Sequence, residues 1–326
     1  MNPNTNFSSA SRRPLKKWLP LLESWPLILV LTAQTGTSWA DVLYVSNFQS
    51  GTISEVNTVD GSVTTFVSGL TLPSGLTFDP AGNLYVALQR SGVIDKITPG
   101  GVVTPFASGL GYYFLNGMAF DSAGNLYVGA NHYEGTFVSA ILKFNPQGSL
   151  LSTWSWTVGA GPSQPMALAF DGGGNLWTAD YGNALYEIFP GGAATKVTSM
   201  YVNPAGLAFD RSGNLFVANN ASGTIAEVTP GGAISTFASG LSGPAGLCFG
   251  TDGDLYVGNS PEGTGSTLSR ITPDGTVSVF ASGLDGPFCI ADETTLVPEP
   301  GGLVCLAAAM LAAHLRGRTR GRSGAQ

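Results

Sequence analysis

The chain of 326 residues carries 21 acidic and 14 basic side chains, a formal net charge of −7, and only 11% of its residues are charged. Forty-five glycines and 20 prolines punctuate it too often for an architecture of long helices. No basic stripe breaks the acidic balance, which excludes a nucleic-acid backbone as partner.

The first 40 residues are predicted to be an export signal. Arg12, Arg13, Lys16 and Lys17 precede an apolar run from Leu19 to Leu31, and Ser38, Trp39 and Ala40 make a small-x-small cleavage site ending at Ala40. Glu23 and Pro26 interrupt the run, which makes it a poor membrane anchor. The opening S-R-R-P-L-K-K also resembles a twin-arginine signal, but Pro14 and Lys16 fit that pattern badly, so ordinary secretion is expected.

From Asp41 onward one phrase recurs. It reads P-S-G-L-T-F-D-P-A-G-N-L-Y-V-A from Pro73, N-G-M-A-F-D-S-A-G-N-L-Y-V-G from Asn116 and P-M-A-L-A-F-D-G-G-G-N-L-W-T-A-D from Pro165. It returns from Pro204 and Pro244, and a truncated L-Y-V-S-N opens the body at Leu43. The marker leucines Leu43, Leu84, Leu126, Leu176, Leu215 and Leu255 lie 39 to 50 residues apart, a period that means a solenoid or a propeller. Each repeat holds four short apolar runs separated by Gly-bearing turns, with no sustained helical period. A four-stranded sheet of this size cannot bury both faces alone, and radial packing of successive sheets solves that problem. The prediction for 41–296 is therefore an all-β, six-bladed β-propeller of four-stranded antiparallel blades. The last copy, G-P-F-C-I-A-D at 286–292, supplies only a first strand and is expected to complete the blade that 43–69 begins, so that the two termini close the ring in one shared blade.

Residues 297–326 form a third unit. Val297, Pro298, Glu299 and Pro300 precede an apolar segment, Gly301 to Leu315, and then R-G-R-T-R-G-R. The three parts in this order resemble the PEP-CTERM sorting signal of Gram-negative bacteria. The resemblance implies a transient membrane tether, an exosortase-type processing enzyme as partner, and delivery to the cell surface, outer envelope or extracellular matrix. The apolar run falls short of the ~20 residues that span a bilayer comfortably, which suits a processed tail. With both end segments set aside, residues 41–300 keep 20 acidic and 6 basic side chains, a balance near −14.

Chemistry has few places to sit. The turn D-x-x-G-N brings Asp79, Asp121, Asp171 and Asp210 beside Asn83, Asn125, Asn175 and Asn214. One carboxylate per turn is far from the six to eight oxygens calcium takes, so these residues are expected to satisfy the turn itself. The residues ending each second strand, Asn47, Leu88, Ala130, Asp180, Asn219 and Asn259, are expected to cap loop backbone. Cys248 and Cys289 fall on neighbouring first strands, offset by two positions, and are expected as buried thiols.

The phrase P-x-G-L-x-F-D-x-x-G-N-L-Y-V-A resembles the repeat of NHL propellers and of the related gluconolactonase and regucalcin family. That resemblance implies that Ser74, Asn116, Met166, Ala205, Ala245 and Phe288 face a central channel. In the lactonases a calcium-type ion sits on the axis, held by an acid of the first blade and by Asn and Asp just before the innermost strands. Only Asn116 matches that set. The repeat is also similar to that of streptogramin-lyase-like propellers, whose chemistry implies a histidine base. His132 is the one histidine of the body, and it is expected as a solvated loop side chain.

The connections that vary most between repeats are those entering the first strand and those joining the second to the third. They carry Tyr112, Tyr113, Asn116, His132, Tyr133, Glu134, Asp180, Tyr181, Asn219 and Asn259. Irregular aromatic loops on a rigid scaffold are where binding usually sits, and aromatic faces with a few polar groups suit a sugar or peptide. Trp154 and Trp156 follow on the last strand of the third repeat, for binding or for filling between blades. The leading expectation is a non-catalytic binding module for a glycan or an envelope protein, without cofactor. The alternatives are a metal-dependent lactonase with an atypical site around Asn116, Asp180, Asn219 and Asn259, taking calcium, and a purely structural matrix protein.

Overall fold

A computed structural model describes residues 42–111, 114–133, 137–156, 161–198 and 201–293. The predicted signal peptide and the sorting tail lie outside the described residues. Blade one holds β1 (Val42–Asn47), β2 (Thr52–Asn57) and β3 (Val63–Val67); blade two holds β4 (Pro73–Phe78), β5 (Leu84–Leu88), β6 (Val93–Ile97) and β7 (Val103–Ala107). Blade three is β8 (Phe114–Phe120), β9 (Leu126–Tyr133), β10 (Phe137–Phe144) and β11 (Leu150–Trp156). Blade four is β12 (Pro165–Phe170), β13 (Leu176–Asp180), β14 (Ala184–Ile188) and β15 (Ala194–Thr198). Blade five follows as β16 (Pro204–Phe209), β17 (Leu215–Asn219), β18 (Thr224–Val228) and β19 (Ile234–Ser239). Blade six is β20 (Pro244–Phe249), β21 (Leu255–Asn259), β22 (Thr267–Ile271) and β23 (Val277–Ser282), and β24 (Pro287–Asp292) ends the body.

The six sheets are antiparallel and four-stranded, and β24 pairs with β1 to complete the first in the order β24-β1-β2-β3. Each innermost strand packs against the next around the axis, β24 against β4 included, so the ring is closed through a blade built from both ends of the body. The sequence expectation of six blades with a shared closing blade holds.

The burial of each strand follows its radius. Second strands are walled in on both faces, and Leu84–Leu88 is buried throughout. Outermost strands such as Val63–Val67 expose polar residues, here Thr64 and Thr65, and turn apolar ones such as Phe66 and Val67 inward. Between blades a three-ring stack repeats: the second-strand aromatic meets an outer-strand aromatic of its own blade and a first-strand Phe of the next. Tyr85 meets Phe106 at 4.9 Å and Phe120 at 5.0 Å, both edge-on. Phe216 does the same with Phe237 and Phe249. Edge-to-face packing of this kind adds about 0.5–1.5 kcal/mol per pair beyond burial.

Every innermost strand carries an irregularity near its start, after the opening Pro in five blades and after Leu115, the second residue of β8, in blade three. A bulge bends the strand and re-aims a side chain, and here it brings the small residue of P-x-G against the next blade. A Cβ on Gly75 would lie 2.1 Å from the Asn116 carbonyl oxygen, and one on Gly206 would lie 2.0 Å from that of Ala245. The hub is closed by backbone against backbone.

Blade two contains one unpaid polar group. Asp95 is nine-tenths buried, and none of the described hydrogen bonds or ion pairs involves it. At the equivalent position Ser54 and Ser269 accept from the side chains of Asn47 and Asn259, but blade two has Leu88 there and Pro105, which lacks an N–H, as its outer partner. Burial raises the Asp95 carboxyl above its ordinary 3.8. A carboxyl raised on folding favours the native state only when protonated, so it weakens the fold as pH climbs through the raised value. Asp95→Ser is therefore expected to melt higher than the parent at pH 7, with the difference shrinking as pH falls toward 3.8. Thermal melts across that range check it.

Candidate functional site

The two ends of the ring differ. One carries the D-x-x-G-N and P-G-G hairpins. The other carries the connections into each innermost strand and those between second and third strands, here called the loop end.

On the axis at the loop end, Met166, Ala205 and Phe288 line a cavity of about 120 Å³ together with Gly75, Gly117, Ala167, Gly206, Gly246 and Cys289. Met166 and Phe288 come from blades four and one, opposite each other in a ring of six, and Phe48 stacks on Phe288 at 5.7 Å. Ser74 and Asn116 do not face this cavity as the resemblance implied. Both are buried, because the bulge turns them into the neighbouring blade. The Ser74 hydroxyl lies within hydrogen-bonding reach of the Ala87 and Leu115 carbonyl oxygens. The Asn116 amide donates to the Pro165 oxygen at 3.1 Å and its carbonyl accepts from Gln89 at 3.2 Å. Gln89 carries no mark in the repeat phrase and was missed from the sequence; its place one residue beyond the second strand is the one local signal that could have found it.

Of the residues ending the second strands, expected to cap loop backbone, only Asn47 and Asp180 accept a loop N–H; Asn219 and Asn259 donate to hydroxyls of the adjacent third strand, and Leu88 and Ala130 have no side-chain polar atom. Asn47 donates to Thr52 and Ser54 and accepts from the Asp285 N–H. Asn259 donates to Thr267 and Ser269, and Asn219 to Thr224. Asp180 accepts from the Ser163 hydroxyl at 3.0 Å and from the Gln164 N–H. All four are buried. The side-chain oxygens of Asn219 and Asn259, and the Tyr201 hydroxyl, find no protein donor or acceptor. Tyr201 stands where four other blades place Leu70, Leu110, Leu241 and Leu284, and burial pushes its phenol up to about 12.

The loops above them are irregular. The four non-glycine residues with left-handed backbone among the described residues are Leu72, Arg90, Asn183 and Asn203, and all four lie at the loop end. Asn203 donates its N–H to the Asn183 side chain and its amide to the Tyr181 hydroxyl at 3.4 Å. Tyr181 is 46% exposed. Arg90 lies over the Phe114 ring at 5.7 Å. His132 is half-buried near the end of β9. Tyr112, Tyr113 and Glu134 lie outside the described residues, as does the side chain of Tyr133. Strand direction thus gathers Asn116, His132, Asp180, Tyr181, Asn219 and Asn259 at one end, but only Tyr181 of the well-defined ones is open to solvent.

At the hairpin end each turn is internally satisfied. Asp79 accepts the Ala81 and Asn83 N–H groups and the Asn83 amide, and Asp121, Asp171 and Asp210 repeat the pattern. Burial works to raise the Asp171 carboxyl, but bonds from Asn175, Trp177 and Gly173 outweigh it and hold the group below its usual range. Lys96 and Lys143 pair with Asp79 and Asp121 at 3.3 and 3.5 Å.

An axial divalent ion does not fit these residues. Asn116 and Ser74 spend their polar atoms on neighbouring blades, and Met166, Ala205, Ala245 and Phe288 offer no side-chain oxygen. Among the described residues no three His, Cys, Asp or Glu side chains stand close enough to share an ion. Cys248 and Cys289 are not bridged to each other. The Cys289 sulfur accepts the Leu76 N–H at 3.3 Å across the closing seam, and burial pushes its thiol up to about 11, which leaves it a packing residue.

No protein-family model matches the chain, and no curated protein matches it. Solved structures do. A streptogramin B lyase matches with TM-score 0.57 at 16% identity, over 77% of this chain and 83% of that one. Virginiamycin B lyase from Staphylococcus aureus matches with TM-score 0.51 at 20% identity, over 64% and 69%. A chain of the nidogen/laminin complex matches with TM-score 0.64 at 17% identity, over 78% and 99%. The likeness is one of fold, a six-bladed propeller.

Proposed function

We propose that the protein is an exported, surface- or matrix-associated propeller of the NHL and gluconolactonase type that binds without catalysis, taking a glycan or an envelope protein on its loop end. The observation that carries this reading is the placement of Leu72, Arg90, Asn183 and Asn203. Left-handed non-glycine residues cost of order 1 kcal/mol each and persist where surrounding structure enforces them. Asn183 and Asn203 stand beside exposed Tyr181, and Leu72 and Arg90 lie on the same end at blade two, so the loops of that end are held in set shapes. A rigid loop surface suits recognition, since little ordering entropy is lost on binding.

Two of the four residues nominated for a hydrolytic site favour the same side of the choice. Asn116 and Asp180 are engaged in holding Pro165, Gln89, Ser163 and Gln164 in place, so recruiting them to an ion would loosen the loops. The fold itself is neutral, because it serves both a lyase and a chain of the nidogen/laminin complex. The export signal and the sorting tail with its V-P-E-P supply the address in this reading, with an exosortase-type enzyme as processing partner.

The test is a glycan array and an envelope-fraction pull-down with the body 41–296. Binding that drops by at least about tenfold on combined change of Tyr113, Tyr133 and Tyr181 is expected, the loss typical of an aromatic anchor. Binding that survives those changes refutes the face. Calorimetry at about 1 mM calcium or zinc separates the readings, since heat of binding there favours the metal-dependent hydrolase.

A further inference from the structure

We infer that the notch between blades three and four, at the hairpin end, is a binding site for a neutral sugar ring. It lies at the opposite end of the ring from the face proposed above and stands or falls separately.

The three-ring stack between blades is distorted there. Outer-strand Phe66, Phe106, Phe237 and Phe280 meet their second-strand partners at 4.9 to 5.2 Å and 70° to 85°. Blade three has Trp154 instead, 5.5 Å from Tyr127 and tilted at 51°. The larger ring leans onto blade four, where a Cβ on Gly192 would sit 2.6 Å from its Cγ. Two residues on, Trp156 donates its indole N–H to the Gly192 carbonyl at 3.1 Å. The indoles are thereby clamped against one glycine.

The tilt leaves a cavity of about 100 Å³, walled by Tyr127, Trp154, Phe170 and Pro190 and open over Gly174 and Gly191. At roughly 30 Å³ per water, it holds about three waters or the edge of one sugar ring. The polar groups around it are few and of both kinds. The Trp154 indole N–H has no acceptor among the described hydrogen bonds, although Trp156 and Trp177 both have one. Lys143 lies over the Tyr127 ring at 4.8 Å and 3.5 Å from the Asp121 carboxylate.

The partly exposed Trp154 and Phe170 rings, an indole N–H without a protein acceptor and a cation paired with a carboxylate complement a pyranose, whose C–H face stacks while its hydroxyls both donate and accept. Charge decides which pyranose. Lys143 is neutralised by Asp121, and a body near −14 repels uronic acids, so a neutral hexose is the ligand class.

The experiment titrates the body 41–296 with methyl glycosides of glucose, galactose and mannose, and with methyl glucuronide, up to about 10 mM, the weak-affinity range of a single-ring site. Saturation-transfer NMR and tryptophan emission read it. At least one neutral glycoside is expected to bind and shift the emission. Trp154→Phe restores the ring found in the other clefts, which keeps the fold, and is expected to cut that binding by about tenfold. Val279→Thr, on the exposed outer strand of blade six and in neither proposed site, should leave it unchanged. Absence of binding by every neutral probe, preference for the glucuronide, or full binding by a folded Trp154→Phe protein overturns the assignment. Hexose binding abolished by Tyr181→Ser but not by Trp154→Phe overturns it too, while supporting the loop-end site.

Discussion

Substituting alanine for Gly75 or Gly206 is expected to unfold the protein or lower its stability by about 3 kcal/mol or more, the upper range of overpacking. The added methyl would meet a neighbouring backbone carbonyl oxygen at 2.1 or 2.0 Å, and that oxygen belongs to a strand pinned by its own blade. It has nowhere to go. Relief would require two blades to separate at the hub, where all six innermost strands meet. Where the position is larger, as at Ala167 and Cys289, the residue of the preceding blade that faces it is a glycine, Gly117 or Gly246. Gly172→Ala is the control, because its Cβ would meet nothing within 4 Å and its backbone is not left-handed. That change should be neutral, or stabilising by up to about 1 kcal/mol. Denaturant melts of the three variants decide the matter, and a Gly206→Ala protein as stable as the parent would overturn the account of the hub.

The second large effect concerns closure. A chain ending after Ser282 lacks β24, and it is expected to be insoluble or to lose its cooperative melt. Without that strand β1 has a free inner edge, and Leu43 and Val45 lose Ile290 and Leu284 from their cluster. Each such side chain contributes about 1.5–3 kcal/mol when buried, so the deficit approaches the whole ~5–15 kcal/mol that holds a domain together. A chain ending after Glu293 keeps the closing strand and should melt where the full body does. Equal melts for both truncations would mean that the ring does not depend on its shared blade.

The blades were legible because a hairpin turn and an alternating strand are local, and the repeat prints them six times. Closure was legible because the leftover first strand at 287–292 matches what the opening repeat lacks. The bulges were not, since the residue that turns aside in P-x-G is chosen by the next blade's backbone, which no local pattern records. For the same reason Ser74 and Asn116 read as facing the channel when they bond to the neighbouring blade. The loop capping expected from strand-end placement holds for Asn47, which accepts the Asp285 N–H, while Asn219 and Asn259 turn their amides to hydroxyls of the next strand. The space beside Trp154 had no local mark either. It arises from one indole exceeding the phenyl that four other blades use, a size difference that matters only once Gly192 is known to lie beneath it.

Leu43 pairs with Asp292, so both ends of the wheel emerge side by side, close to its axle and on the hairpin side. If the proposed sorting tail tethers the body through the chain that follows Asp292, Tyr181 and the contorted loops would face outward, away from the tether. The Trp154 notch would then face back toward it, where a polymer lying along that support would pass.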